Sequence, residues 1–164
     1  MKQSAIYAGT FDPITLGHLD LIERAGRIFN SVVVAVAEHP RKTTAFDVHA
    51  RCDMIREACA GFPNTKVIPF NGLLVDFAHK SGIRVLIRGL RAYSDFESEF
   101  QMALINRKLS HDIETLFMMP QEAYSCLSSS VVKEVAALGG DISGFVPSCV
   151  AARIQKHLGG RSDA

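Results

Sequence analysis

Short apolar, β-branched runs alternate along this chain with longer segments whose apolar residues recur at helical spacing. Runs typical of buried parallel strands occur at residues 4–8, 31–37, 65–70, 84–87 and 114–119. Helical patterns are predicted over residues 16–29, 48–59, 73–80, 95–109, 129–138 and 147–157, with Asp47 as the N-cap of the second. This alternation predicts βαβ units. We therefore expect an α/β fold: a Rossmann-like, doubly wound, five-stranded parallel sheet ordered 3-2-1-4-5, with helices on both faces.

Length and composition narrow the class of protein. We expect one domain over residues 1–158 and a flexible tail over 159–164 of the 164 residues. The net charge of +1 provides no general field for nucleic acid. The four cysteines form no CxxC pair and the six histidines no HExxH spacing, so we expect reduced thiols and no structural zinc. With neither a signal peptide nor a long apolar stretch, a cytoplasmic protein without a membrane partner is expected.

The first predicted strand ends in a Gly/Asp/Pro turn at residues 9–13 that leads into a helix. Gly9 is expected to free the backbone there, and Thr15 to cap the helix, whose first N–H groups have no internal acceptor. Those donors and the helix dipole attract an anion. Gly17 has no Cβ to obstruct a ligand, and the ring of His18 is able to donate a hydrogen bond. An ordinary βα loop has similar turn residues, so the histidine is what favours chemistry at a phosphorus atom.

Further polar motifs follow strands two, four and five. They are Lys42, the pair Arg88 and Arg91 around Gly89 and Leu90, and the triplet Ser128, Ser129 and Ser130. In a sheet ordered 3-2-1-4-5, strands one and four are neighbours at the reversal point, so their loops line one crevice. We expect this to bring His18 together with the two arginines. Taken alone, the lysine would be a solvated loop cation and the serines a helix N-cap, but their shared sheet edge favours phosphate binding.

Phe96, Phe100 and Leu104 recur at helical spacing in the fourth predicted helix. This spacing is more typical of a core or a subunit interface than of a surface that stacks on bases. We therefore expect one of those two roles.

The motifs resemble those of one enzyme family. Thr15-Leu16-Gly17-His18 is similar to the TxGH or HxGH signature of the nucleotidyltransferase superfamily, and residues 127–133 are similar to its ISSTxxR element. With residues 9–13 and 86–91, and the helix that carries Asp95, Glu99 and Asn106, the likeness to bacterial phosphopantetheine adenylyltransferases runs from residue 7 to at least residue 147. Thr15 stands where the superfamily has a first histidine, and Lys133 where it has a terminal arginine. Both replacements resemble the phosphopantetheine branch.

The resemblance implies a reaction. ATP and 4′-phosphopantetheine would give dephospho-coenzyme A and pyrophosphate, the penultimate step of coenzyme A synthesis, by in-line attack without a covalent enzyme intermediate. Coenzyme A would be a further ligand. Mg²⁺ would arrive with ATP, with no metal ligand from protein side chains. A homohexamer, built as a dimer of trimers, is also implied.

The resemblance also implies site residues. Those expected to be catalytic are His18, Lys42, Arg91 and Ser129. Those expected to bind ATP are Thr10, Phe11, His18, Gly89, Leu90, Arg91, Glu99, Tyr124, Ser125, Cys126, Leu127, Ser128, Ser129 and Ser130. Those expected to bind phosphopantetheine are Thr10, Lys42, Leu73, Leu74, Arg88 and Asn106.

Other functions share part of this pattern. A cytidylyltransferase, or an adenylyltransferase for nicotinamide mononucleotide or a flavin, would have the same sheet and histidine. A class I aminoacyl-tRNA synthetase has a similar motif but needs extra domains and a basic surface. A non-catalytic sensor of coenzyme A or adenine nucleotides would need the arginines but not His18. Pyrophosphate release that depends on phosphopantetheine distinguishes these alternatives.

Overall fold

The computed structural model describes residues 3–38 and 43–158. Its five strands are β1 Ser4–Gly9, β2 Ser31–Ala37, β3 Thr65–Phe70, β4 Val85–Gly89 and β5 Glu114–Met118. They form one parallel sheet in the order β3-β2-β1-β4-β5. The predicted strand order is confirmed. β4 runs on to Gly89, because Arg88 and Gly89 continue the pairing with Phe117 and Met118 of β5.

Six α-helices connect and follow these strands. They are α1 Leu16–Ile28, α2 Val48–Ala58, α3 Leu74–Ser81, α4 Tyr93–Leu109, α5 Ser129–Ala137 and α6 Ser148–Leu158. A short 3₁₀ turn at Glu122–Tyr124 was not predicted. Asp47 caps α2 as expected, with its carboxylate accepting from the Ala50 N–H at 2.8 Å. α4 begins two residues before the predicted start, because its N-cap Ala92 has no polar side chain to make the capping hydrogen bond that marks such a boundary in a sequence.

Helices cover both faces of the sheet, as a doubly wound fold requires. On one face, α1, α2, α5 and α6 bury residues such as Ile22, Ile55 and Ile154 against β1 and β2. On the other, α3 packs Val75 and Ala78 against the alternate strand residues. The central strands are therefore buried on both sides, which explains why their sequences are continuously apolar and do not alternate.

α4 differs from the other helices because its apolar residues face outward. Phe96 is 41% exposed, Phe100 44% and Leu104 51%, and Asn106 is the buried residue of the helix. Of the two expected roles, the core position is wrong, because these side chains do not belong to the core of their own chain. The role in a subunit interface stays a prediction. Among the described residues, no helix has both the length and the apolar character needed to cross a bilayer.

Candidate active site

A cleft of about 480 Å³ opens at the carboxyl ends of β1 and β4. Its floor is the turn after β1, and its sides are the first turn of α1, the start of α4 and the N-terminus of α5. Predicted site residues that line it are Thr10, Phe11, His18, Arg88, Gly89, Arg91, Glu99, Leu127, Ser128, Ser129 and Ser130. The strand order thus brings together motifs that are more than 100 residues apart in the sequence.

The turn after β1 is shaped by packing between Gly9 and Phe11. Gly9 does not have a positive φ, so its backbone conformation does not require glycine. A Cβ on Gly9 would, however, lie 3.0 Å from the ring of Phe11. The expectation that Gly9 frees the backbone is therefore wrong, and the residue is small so that the ring can pack over it. Phe11 itself has the positive φ, 49°. Its buried ring meets the ring of His18 edge-on, with centroids 5.1 Å apart.

His18 is oriented by the residue that caps its own helix. The Thr15 N–H donates to His18 Nδ1 at 3.1 Å, and the Thr15 hydroxyl accepts from the His18 N–H at 3.4 Å. Because a backbone N–H can only donate, Nδ1 must be the unprotonated nitrogen. The ring proton is then on Nε2, which leaves that nitrogen as a donor.

The surroundings of His18 keep the ring uncharged. Burial, and then the positive charges of Arg91 and Arg88, lower the pKa of His18 from 6.5 to about 4. At neutral pH the imidazole is therefore a neutral donor beside the helix N-terminus, where α1 leaves backbone N–H groups for an anion.

Each arginine in the cleft is fixed by a carboxylate. Arg88 donates through Nε and one terminal nitrogen to both oxygens of Glu99, at 2.6 and 2.7 Å, and through the other to the Ala8 carbonyl. Arg91 makes the equivalent contacts to Asp95 at 3.0 and 3.1 Å and also donates to the Leu127 carbonyl. The guanidinium groups are thus held in fixed positions with some N–H bonds left over for a ligand.

The floor of the cleft is tied to α5 by two contacts. Lys133 Nζ lies 2.7 Å from the carboxylate of Asp12, and the Ser129 hydroxyl donates to the Pro13 carbonyl at 2.8 Å. These contacts place the N-terminus of α5 next to that of α1. Ser128 caps α5 by accepting from the Val131 N–H at 3.1 Å, so the N-cap interpretation of the serines holds alongside their position in the cleft.

Charges balance among the described lining residues of the cleft. Its three cations, Arg88, Arg91 and Lys133, are each paired with a carboxylate that also lines it, respectively Glu99, Asp95 and Asp12. These lining residues therefore have no net positive charge that would attract an anion. The N-termini of α1 and α5, together with the fixed guanidinium donors, are the groups suited to hold phosphate.

Two buried charged residues, Asp12 and Arg51, hold the chain segment that follows β2 in place. Neither role was predicted from the sequence. The Asp12 carboxylate accepts from the N–H groups of Ala45 and Phe46 at 2.9 and 3.0 Å. Arg51, only 2% exposed, donates to the carbonyls of Phe46, Thr10 and Ala37. Phe46 is thus held by its N–H and its C=O at once. A helical arginine gives no local sign that it points inward.

Some predicted residues are not brought into the cleft. Leu73 is 54% exposed, Leu74 begins α3 and packs against the core on that face of the sheet, and Asn106 is buried on α4. Leu90, Tyr124, Ser125 and Cys126 do not line the cleft, although Leu90 and Cys126 are each next to a lining residue in the chain. Lys42 lies outside the residues that the structure describes.

Comparison with known proteins agrees with this geometry. Residues 6–135 match the family model described as cytidylyltransferase-like. A phosphopantetheine adenylyltransferase of Methylococcus capsulatus is 55% identical over 160 residues, which is 98% of this chain and 99% of that protein. The chain belongs to the phosphopantetheine adenylyltransferase family. A member from Heliobacterium modesticaldum is 52% identical over 94% of this chain and 92% of its own length.

Membership in the phosphopantetheine adenylyltransferase family makes the chain an adenylyltransferase. The fold is shared more widely. A solved structure from Vibrio parahaemolyticus, provisionally named a nicotinate-nucleotide adenylyltransferase, superposes with a TM-score of 0.68 at 16% identity, covering 95% of this chain and 93% of that one. At that identity the likeness concerns the fold alone.

Proposed function

We propose that this chain transfers the adenylyl group of ATP to 4′-phosphopantetheine, giving dephospho-coenzyme A and pyrophosphate. The observation that carries the proposal is the neutral ring of His18, held with its proton on Nε2, in one cleft with Arg88 and Arg91. Near-full-length relatives that bear the name of this activity support it.

Transfer takes place in one displacement. An oxygen of the acceptor's 4′-phosphate attacks the α-phosphorus of ATP, the bond from that phosphorus to the β-phosphate oxygen breaks, and pyrophosphate leaves. His18 Nε2–H donates to a non-bridging α-phosphate oxygen as negative charge builds there. A covalent histidine intermediate is disfavoured, because the lone pair of Nδ1 accepts the Thr15 N–H and Nε2 carries the ring proton.

One group of side chains binds the phosphates of ATP, and a second group binds the acceptor. Arg91, Ser129 and Ser130, with the N-terminus of α5, hold the β- and γ-phosphates. Thr10, Arg88 and Lys42 hold the acceptor phosphate, and alignment of the two anions supplies much of the rate enhancement. Glu99 and Asp95 fix the guanidinium groups before either substrate arrives.

The substrate is the Mg²⁺ complex of ATP. Mg²⁺ keeps several waters and binds substrate phosphates readily without a protein cage. Among the described residues, no three His, Cys, Asp or Glu side chains are grouped so as to hold a metal ion. The proposal therefore assigns no protein ligand to the metal.

The proposal also includes the oligomeric state of the protein. The exposed apolar face of α4, which includes Phe96, Phe100 and Leu104, supports a subunit interface in a cytoplasmic homohexamer. A solution mass six times that of the 17.9 kDa chain is expected from light scattering. A monomer at micromolar concentration would contradict this part of the proposal.

A substrate panel tests the proposed reaction. Pyrophosphate release is measured with ATP alone and with ATP plus phosphopantetheine, pantetheine or nicotinamide mononucleotide. Release is expected only with phosphopantetheine, since pantetheine lacks the attacking phosphate. Release with nicotinamide mononucleotide would point to another acceptor, and ATP binding without any release would point to a sensor.

A further inference from the structure

Asp20, on the second turn of α1, reaches across to the chain segment that follows β5. Its carboxylate is buried and accepts from the backbone N–H of Gln121 at 3.1 Å and from the Gln121 side-chain amide at 2.9 Å. Arg24, one turn further along α1, lies 3.2 Å from the same carboxylate and donates to the Met119 carbonyl at 2.6 Å. Two neighbouring turns of α1 therefore hold the residues on either side of Pro120.

Pro120 lines the cleft, so the contacts of Asp20 fix part of the cleft wall. A Cβ on Gly17 would lie 3.4 Å from Tyr124 Cβ, which shows how closely the first turn of α1 and the 3₁₀ turn approach. Tyr124 in turn accepts from the Leu127 N–H at 3.1 Å, just before the serines at the N-terminus of α5. The whole segment from Met119 to Leu127 is thus positioned by the helix that carries His18.

A second ion pair on α1 shows that these contacts are not a general feature of the helix surface. Glu23 and Arg27 have the same i,i+4 spacing, but their side chains are 46% and 71% exposed. The Asp20 side chain is 4% exposed and has three donors around it. A buried carboxylate that loses such donors leaves polar groups unsatisfied, whereas an exposed pair is replaced by water.

We infer that Asp20 is a positioning residue that sets the affinity for ATP by holding the 119–127 segment against α1. The inference rests on the proposed function, in which the ATP phosphates lie at the N-terminus of α5, which directly follows this segment. The hydrogen bonds of Asp20 go to Gln121 and Arg24, whereas Arg88, the arginine assigned to the acceptor, is held by Glu99 and the Ala8 carbonyl. Asp20 is therefore not expected to affect the chemical step or the binding of the acceptor.

The first test is Asp20→Asn. An amide replaces one of the two acceptor oxygens with an N–H₂ donor and removes the negative charge, so it cannot accept from all three donors of Gln121 and Arg24. The KM for ATP and the directly measured Kd for ATP are expected to rise about 10-fold, the effect of losing a charge-assisted hydrogen bond. kcat and the KM for phosphopantetheine are expected to stay within about twofold of wild type.

Two further variants distinguish a specific effect on ATP binding from a general effect on α1 or on folding. Glu23→Gln removes the exposed pair from the same helix and is expected to change neither constant. Gln121→Glu alters an exposed residue, so folding is retained, but places a second carboxylate beside Asp20. It is expected to raise the KM and Kd for ATP selectively, as Asp20→Asn does.

An unchanged Kd for ATP in Gln121→Glu and Asp20→Asn would overturn the inference. Equal rises of both KM values together with a fall in kcat would also overturn it, because that pattern indicates general loss of structure. The Kd for ATP needs no acceptor. A wild-type enzyme that is inactive with phosphopantetheine would therefore overturn the proposed function while the role of Asp20 is still decided by binding.

Discussion

Thr15 and His18 cap each other: the Thr15 N–H donates to His18 Nδ1 at 3.1 Å, and the His18 N–H donates back to the Thr15 hydroxyl at 3.4 Å. This reciprocal arrangement is a capping box in which an imidazole stands where a Glu or Gln side chain is usual. The same contact that begins the helix therefore fixes the ring orientation and its tautomer. Helix stability and the proposed chemistry depend on one pair of residues.

The first prediction concerns pH. With its pKa lowered to about 4, His18 stays neutral from pH 8 down to about pH 5, whereas the unfolded chain takes up that proton near pH 6.5. Its contribution to the free energy of unfolding is therefore full above pH 6.5 and is lost as pH falls toward 4. NMR titration of the ring resonances is expected to show no inflection between pH 8 and 5.5. A midpoint near 6.5 would contradict the account of the ring's environment.

The second prediction concerns Glu99. Glu99→Gln removes the charged partner of Arg88, so the guanidinium is no longer held at 2.6 and 2.7 Å. Under the proposed function, the KM for phosphopantetheine is expected to rise about 10-fold with a smaller effect on the KM for ATP. Glu57→Gln, which breaks the exposed pair with Arg153, is the control and is expected to have no effect. An unchanged acceptor KM in Glu99→Gln would remove Arg88 from acceptor binding.

The third prediction concerns Arg51. Arg51→Met leaves the buried carbonyls of Thr10, Ala37 and Phe46 without their donor. The free energy of unfolding in urea is expected to fall by about 2–4 kcal/mol, the range for losing a buried polar network. Arg56→Met on the same helix is the control; that arginine is exposed, and a loss below about 1 kcal/mol is expected. Equal losses in the two variants would show that the buried contacts add nothing.

The fourth prediction concerns Gly9. Gly9→Ala places a methyl group 3.0 Å from the ring of Phe11, which in turn contacts His18. A fall in kcat of about 10-fold and a stability loss of about 1–3 kcal/mol are expected from this overpacking. Gly61→Ala, where a Cβ meets nothing within 4 Å, is expected to leave both quantities unchanged. Wild-type turnover in Gly9→Ala would show that Phe11 does not position the histidine.

The sequence predicted those parts of the fold that depend on local patterns. All five apolar runs are strands, and the caps at Thr15 and Asp47 are where their side chains indicated. Pairings between distant elements were not predictable. The contact between Asp20 and Gln121 spans 101 residues, and no local pattern encodes it. Likewise, Arg88 and Arg91 were predicted to bind phosphate but their carboxylate partners were not, since Glu99 meets Arg88 through the folding of α4 over the end of β4.

Single-turnover measurement of His18→Ala tests the central claim most directly. The account predicts that the rate of adenylyl transfer falls about 10²–10³-fold, as on loss of one preorganised transition-state donor, while the Kd for ATP stays within about threefold. His49→Ala, at an exposed position on α2, is the control and is expected to react at the wild-type rate. A near-normal transfer rate in His18→Ala would contradict the claim that this ring stabilises the transition state.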